Sequence, residues 1–395
     1  MNLRNLFYVI PDYVWVHIVC KKGSYKTQVF TFGNIFDKIN TRKGDAYMFE
    51  KNLKYYRLQK NMSMKELAAA VGVTSMAISN YESGKRKPEI EIINKMAEVL
   101  EIRVVDFLNR RNNGLKYQHF EFRKNSSLTK GQQEYVKESV EEYFSRFFDA
   151  VEYLGGNPLP NAPECHVLEL TDCYRTDAIN LRKHMGFSDT GPIDEIISIL
   201  ENKGILVVEI EIDNDSFSGI NGLVNEYPYI AINKGITPER KRTTIIHELA
   251  HLIFNWDEKN EKENEKRATA IAGAFLITDS DLYRELGQRK TALTKDLILV
   301  CQEYGVSMYL LVKRAAQAGI MSSSLEKNFY MKANKADWKR NEPSRIKNPE
   351  EPTLFRQMVL RAINEEGVSV QKGAELLKMP YSEVENFCGL VEVLS

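Results

Sequence analysis

Apolar residues recur at helical spacing along most of the chain, and the breaks in that pattern mark its organisation. From Met48 to about Leu108 the pattern predicts short helices joined by tight turns. Residues 112–128 are polar and read as a linker. Between Thr129 and Leu154 the residues Val140, Tyr143, Phe144, Phe147 and Val151 share one face, which predicts a long amphipathic helix capped by Thr129. Taken alone, that helix reads as a connector. The proline-rich run from Asn157 to Pro163 interrupts the pattern. Helices are expected at about 173–185 and 193–203, the second ended by Gly204. The β-branched run Ile205–Ile210 predicts a strand, and 227–233 a second. Helices at about 238–256, 265–277, 293–304 and 307–318 come next, and a polar stretch at 333–351 leads to a last helical piece at about 352–393. No internal repeat is evident. The fold class is therefore mainly α with a small β-sheet, an α+β arrangement.

Residues 1–47 differ in character from the rest of the chain. They are aromatic and irregular, with Tyr8-Val9-Ile10 and Gln28-Val29-Phe30 as candidate short strands. Arg42-Lys43-Gly44-Asp45 can be encoded by the purine-rich run AGGAAAGGAGAT, which resembles a bacterial ribosome-binding site a few codons before Met48. A true start at Met48 and a genuine N-terminal extension are both expectations of this segment.

Composition narrows the class. A chain of 395 residues exceeds one ordinary core, so two or three domains are expected. Basic and acidic side chains number 54 each, which argues against a bulk nucleic-acid coat but leaves room for a local basic face. Five cysteines without CxxC spacing fit reduced thiols and a cytoplasmic protein rather than a disulfide framework. Cys165, His166 and Cys173 lie near one another, but their spacing suits ordinary thiols better than a metal site. The apolar stretch Leu6–Cys20 is short and broken by Pro11, Asp12 and His17, so neither a membrane span nor a signal peptide is expected.

Ser63-Met64-Lys65-Glu66 is a capping box that opens a short helix. Gly72 supplies a tight turn, Val73 plugs the core, and Thr74 caps a second helix from Ser75 to Glu82. Ile78 faces inward, and Ser75, Met76, Ser79 and Asn80 face outward. This spacing predicts a helix-turn-helix whose second helix enters the major groove. Asn80 can pair bidentately with adenine, Ser75 and Ser79 can reach base or phosphate, and Met76 can touch a thymine methyl. Lys85, Arg86 and Lys87 suit phosphate contacts. Glu66-Leu67-Ala68, Gly72-Val73-Thr74, Ile78-Ser79 and the run Tyr81–Pro88 resemble the phage-repressor (XRE/Cro) family over about 50–108. The resemblance implies a five-helix domain that binds a double-stranded DNA operator, usually as a homodimer, in a phage or mobile-element type of regulator. Met64 stands where many members carry a DNA-anchoring Gln.

Thr243 to Phe254 reads as an amphipathic helix carrying His247-Glu248-Leu249-Ala250-His251. Its two histidines are one turn apart on one face, so both imidazoles can reach one ion. Zinc suits imidazole and carboxylate donors. Glu248 is placed as the general base that takes a proton from the attacking water. A catalytic zinc needs a third protein ligand. Glu265 is preferred because Ala268, Ile271, Ala272 and Phe275 sit at helical spacing from it and orient it inward; Glu258, Glu261 and Glu263 are its rivals. Two histidines that merely pack in a helix are the plainer alternative.

Gly191-Pro192-Ile193, Leu200–Ile205, Ile232-Asn233, Arg240–Thr243, the HELAH segment, Glu265 with Ala268 through Leu276, Tyr304–Ser307 and Trp338 with Asn341-Glu342-Pro343 together resemble the ImmA/IrrE-type metallopeptidases. The resemblance spans roughly 115–345. It implies a zincin-like fold with His247, His251 and Glu265 as zinc ligands, Glu248 as base, and limited cleavage of a repressor-like protein. Thr269 stands where Asn or Asp is usual, Asn255 where His is common, and Thr278 where Pro often ends the helix.

The expected organisation is an extension at 1–47, a helix-turn-helix domain at 48–111, linker and connector helix at 112–155, the HExxH domain at 156–290, its helical extension at 291–345, and a C-terminal helical segment at 346–395. Gly373–Leu377 with Pro380 and Tyr381–Val384 resembles a second small helix-turn-helix-like unit, read as a protein contact because it has no basic stripe. Three mechanisms are open to the fusion. The peptidase cuts its own linker, or cuts a second repressor, or the zinc domain is a non-catalytic sensor that tunes DNA binding.

Overall fold

The computed structural model describes residues 6–10, 14–21, 24–31, 49–112, 114–119, 128–155, 157–257, 259–289, 294–338, 341–346 and 349–389. The alternative start at Met48, the rival ligand Glu258 and linker residues 120–127 lie outside the described residues. Two compact units emerge, residues 1–113 and 114–395.

In the first unit, β1 (Leu6–Ile10), β2 (Val14–Lys21) and β3 (Ser24–Thr31) form an antiparallel sheet in chain order. The two expected strands fall in β1 and β3, and β2 pairs with both. Helices α1 (Phe49–Gln59), α2 (Met64–Val71), α3 (Ser75–Glu82) and α4 (Ile90–Leu100) come next. The expected fifth helix is a single 3-10 turn, Val104–Leu108. Ser63 and Glu66 exchange the hydrogen bonds of a capping box, and Thr74 caps α3. Leu53, Leu67, Ile78, Met96, Leu100 and Phe107 are fully buried and make the core. Asn52 closes the domain by donating to the carbonyls of Phe107 at 2.9 Å and Asn109 at 2.7 Å.

The second unit is built on a four-stranded sheet of order β4 (Tyr117–His119), β6 (Gly219–Val224), β7 (Tyr227–Asn233) and β5 (Leu206–Ile210). Strands β5 and β7 are parallel, and the other pairs are antiparallel. Alternation along β7 sends successive side chains to opposite faces. Tyr229 packs against Phe144 of α5 (Lys130–Tyr153), with ring centroids 5.3 Å apart. Ile230 and Ile232 join Ile245, Ile246 and Leu249 of α8 (Pro238–Ile253) on the other face. The helix expected as a connector is thus one wall of this unit. Helices α6 (Tyr174–His184) and α7 (Ile196–Asn202) precede β5.

Helix α9 (Glu261–Leu276) lies against α8, and its Ala268 and Ala272 are fully buried. Helices α10 (Asp279–Leu286), α11 (Asp296–Tyr304), α12 (Met308–Gln317) and α13 (Ser323–Lys335) extend the core. The chain then folds into α14 (Leu354–Asn364), α15 (Val370–Leu377) and α16 (Tyr381–Phe387), and the last two flank Pro380 where a small helix-turn-helix-like unit is expected. Tyr143 and Phe147 of α5 meet Phe355 of α14. Among the described residues no helix is long and apolar enough to cross a membrane.

Candidate metal centre and helix-turn-helix surface

Helix α8 places His247 and His251 one turn apart on the face toward α9, with ring centroids 4.9 Å apart. Helix α9 brings Glu265 to them. Its Oε2 lies 3.5 Å from His247 Nε2 and its Oε1 3.1 Å from His251 Nε2. One donor atom from each of the three residues lies within 4.8 Å of the others, the one such group of metal-ligand type among the described residues. Of the rivals, Glu261 and Glu263 sit in the first turn of α9 outside this group. Cys165, His166 and Cys173 also fall outside it. His166 Nδ1 instead lies 2.9 Å from the Phe254 carbonyl, an acceptor that requires a proton on that nitrogen.

Two residues that spacing did not reveal shape the centre. Thr269 Oγ1 donates its one proton to the Glu265 carbonyl at 2.9 Å and lies 3.3 Å from His247 Nδ1. The hydroxyl must therefore accept from Nδ1–H, which leaves the lone pair of His247 on Nε2, the nitrogen facing Glu265. Asn221 of β6 is the other. Its side-chain amide donates to Glu248 Oε2 at 2.6 Å, and both residues are buried. Gly219, two residues earlier, makes that approach possible, because a Cβ there would lie 2.7 Å from the Thr244 methyl. Trp256 completes the surroundings. Its ring lies 4.9 Å from that of His251, and its indole N–H donates to the Ala250 carbonyl at 3.1 Å.

The exit of α8 is held as well. Leu168 and Phe254 form a parallel bridge, and Asn255 donates to Glu169 Oε1 at 2.6 Å. Arg267 of α9 binds the buried Asp177, which also accepts from the Thr171 N–H at 2.8 Å. Thr278 does not end α9 as a proline would. It caps α10, sharing a capping box with Asp281.

In the first unit, Ile78 is buried beneath α3, and Ser75 and Met76 are exposed. Ser79 and Asn80 are half-buried on the same helix. Thr74 is exposed, with its hydroxyl accepting from the Ala77 N–H at 3.2 Å. Lys85, Arg86 and Lys87 are exposed on the turn after α3. The Glu82 of this motif is an internal tie. It accepts from the Arg57 guanidinium through both carboxylate oxygens, and the two side chains are only 5% and 4% exposed.

Residues 53–107 match the helix-turn-helix family model, and residues 200–316 match the peptidase-family model described as the IrrE N-terminal-like domain. Over 71 residues the chain is 30% identical to the uncharacterized HTH-type transcriptional regulator YqaE of Bacillus subtilis (strain 168). That similarity covers 18% of this chain and 61% of the relative's length. The chain thus joins a helix-turn-helix domain to an IrrE-like, metallopeptidase-type domain.

Proposed function

We propose that the chain is a DNA-binding transcriptional regulator whose second unit is a zinc-dependent endopeptidase, making a limited cut in a repressor-like protein or in the chain itself. The observation that carries this reading is the convergence of His247, His251 and Glu265 beside a buried Glu248 held by Asn221. Two imidazoles and a carboxylate are a donor set that zinc takes in catalytic sites. When bound, zinc polarises the scissile carbonyl and makes water acidic enough to ionise near neutral pH. His247, His251 and Glu265 hold the ion. Glu248 accepts the proton of the attacking water and passes it to the leaving amine, while Asn221 orients its carboxylate.

In the first unit, α3 enters the major groove of an operator. Thr74, Ser75, Met76, Ser79 and Asn80 supply the contacts of the helix, and Lys85, Arg86 and Lys87 bind phosphates. The chain binds the operator as a dimer. A zinc sensor without catalysis needs the three ligands but gains nothing from a buried carboxylate fixed beside them, so the Asn221–Glu248 bond favours the enzyme.

Elemental analysis and proteolysis of an unfolded protein chain test this together. The wild type is expected to carry one zinc per chain, lost in His247→Ala, and Glu248→Gln to keep the zinc while losing proteolysis. A chain without zinc overturns the metal centre. A zinc-loaded wild type that cuts nothing reduces the second unit to a sensor.

A further inference from the structure

Helix α8 stops at Phe254, whose backbone is extended. The last carbonyls of a helix have no partners within it. Here the segment around His166 supplies some of them. The His166 N–H donates to the Leu252 carbonyl at 2.9 Å, and the Val167 and Leu168 N–H groups donate to the Ile253 carbonyl at 2.9 and 3.1 Å. His166 has a left-handed φ of 56°, which a residue with a Cβ rarely adopts. Its backbone bond to Leu252 and its ring bond to the Phe254 carbonyl hold it there. The Asn255 N–H donates to the Leu168 carbonyl at 2.9 Å, so the chain leaving α8 is tied to the same segment. The next residue is Trp256.

Trp256 turns back onto the helix it follows. Its indole N–H donates to the Ala250 carbonyl at 3.1 Å, and the same carbonyl accepts from the Phe254 N–H at 3.1 Å. A carbonyl oxygen has two lone pairs, so it takes both donors. The indole ring lies 4.9 Å from the His251 ring, with the planes 38° apart. Phe254 meets the indole in a T-shaped pair at 6.3 Å. The His247 ring is the other neighbour of His251, at 4.9 Å and 67°. The His251 imidazole therefore packs against two rings while its Nε2 lies 3.1 Å from Glu265 Oε1. A side chain that must give up rotamer freedom when it binds loses affinity, and one already held does not.

We propose that Trp256 is a positioning residue of the metal centre, holding the His251 imidazole so that Nε2 faces Glu265 before an ion arrives. This rests on the metal-centre reading above, and not on whether the centre cuts a protein. Trp256 acts through His251 alone. Its backbone is tied to the segment around His166, its N–H fixes the indole on the Ala250 carbonyl, and its ring fixes the ligand. The double duty accounts for a tryptophan at this position. An aliphatic side chain fills space but offers no flat face to the imidazole, and a phenyl ring keeps the flat face without the donor.

Two measurements on the full-length chain test the proposal, neither of them activity. Zinc affinity is read by competition with a chelator, and ligand geometry by the visible absorption of the cobalt(II)-loaded protein. Trp256→Ala is expected to weaken zinc binding by roughly tenfold or more and to change the cobalt bands. Trp256→Phe, which keeps a ring beside His251, is expected to recover most of the affinity and the wild-type bands. Trp256→Leu, which fills space without a ring, is expected to stay as weak as the alanine variant. If Trp256→Ala does not fold, the comparison of Phe with Leu decides the question. Wild-type affinity and unchanged bands in Trp256→Leu overturn the proposal and leave the metal centre standing. Equal zinc affinity in the Phe and Leu variants also overturns it, because the ring is then not what holds His251. A wild type that takes up neither zinc nor cobalt overturns the metal centre itself, and the proposal with it.

Discussion

Thr269 decides which nitrogen of His247 faces His251 and Glu265, and Asn221 decides where the Glu248 carboxylate points. Neither role is visible in the HExxH spacing, because both partners reach the helix from elements far along the chain. The spacing itself was legible, since residues four apart on a helix share a face. Glu265 was legible for a related reason, as the small and apolar residues after it set which side of α9 turns inward. Partners that orient metal-site residues typically contribute about tenfold to hundredfold in activity or metal affinity. Asn221→Ala is therefore expected to lower peptidase kcat/KM by that factor while zinc content stays at the wild-type level. Full activity in this variant would remove Asn221 from the account of the site.

At the scale of elements, caps and turns obey local chemistry and could be read directly. Ser63, Thr74 and Thr129 each cap the helix that the pattern assigned to them. Strand β6 could not be read this way. Gly219, Asn221 and Gly222 are weak strand formers, and the strand exists because β7 offers it a ladder and α8 requires a close neighbour. The Arg57–Glu82 tie was equally hidden, although both residues lie in helices that were expected. Arg57 of α1 also donates to the Met62 carbonyl at 2.7 Å, so one guanidinium joins α1, the α1–α2 turn and α3. Removing one partner of a buried ion pair leaves an uncompensated charge, at a cost of about 3–5 kcal/mol. Glu82→Ala is expected to destabilise the first unit by that amount in urea unfolding and to abolish operator binding at ordinary temperature. The double variant Arg57→Met with Glu82→Leu, which removes both charges, is expected to recover most of the loss.

Across the second unit, the polar stretch after α13 acts as a strap rather than a spacer. Glu342 accepts from the Met308 N–H at the start of α12 at 2.6 Å, and the Ile346 N–H donates to Glu239 of α8 at 2.6 Å. Glu350 accepts from the Ile197 N–H of α7 at 2.9 Å and pairs with Arg242 of α8. Glu201 of α7 accepts in turn from the Thr353 and Leu354 N–H groups at the start of α14. Burial pushes the Glu201 carboxyl from its ordinary 4.5 up to about 7, against the opposing pull of the Leu354 and Thr353 N–H groups. Between those values the folded chain holds a proton that the unfolded chain has released. Stability from this group therefore falls as pH rises through that window and is level above it. The fall is on the order of 3 kcal/mol. Burial also pushes the Glu342 carboxyl of the strap up to about 7, which adds a fall of the same sign in the same window. Urea midpoints of the second unit measured from about pH 5 to about pH 8 should show the combined slope, and Glu201→Gln should reduce it by about half. A variant with the wild-type slope would assign the effect to other groups.

The sequence by itself determined the helical fold class, the helix-turn-helix and its caps, and the paired histidines with Glu248 between them. Each of these depends on residues within a few turns of one another, where spacing and side-chain chemistry are sufficient. It also singled out Glu265, Thr269 and the turn at Tyr304–Ser307 without their partners. Only the tertiary structure decided that α9 meets α8 at Glu265, that β6 carries Asn221 to Glu248, that α5 walls the sheet, and that the linker pairs with β6. These contacts join residues from 14 positions apart, as in His251 and Glu265, to 107 apart, as in Tyr117 and Val224, through side-chain contacts and weak or very short strands. Local preference is silent about them, and they form because packing and backbone hydrogen bonding must be satisfied over the whole unit at once.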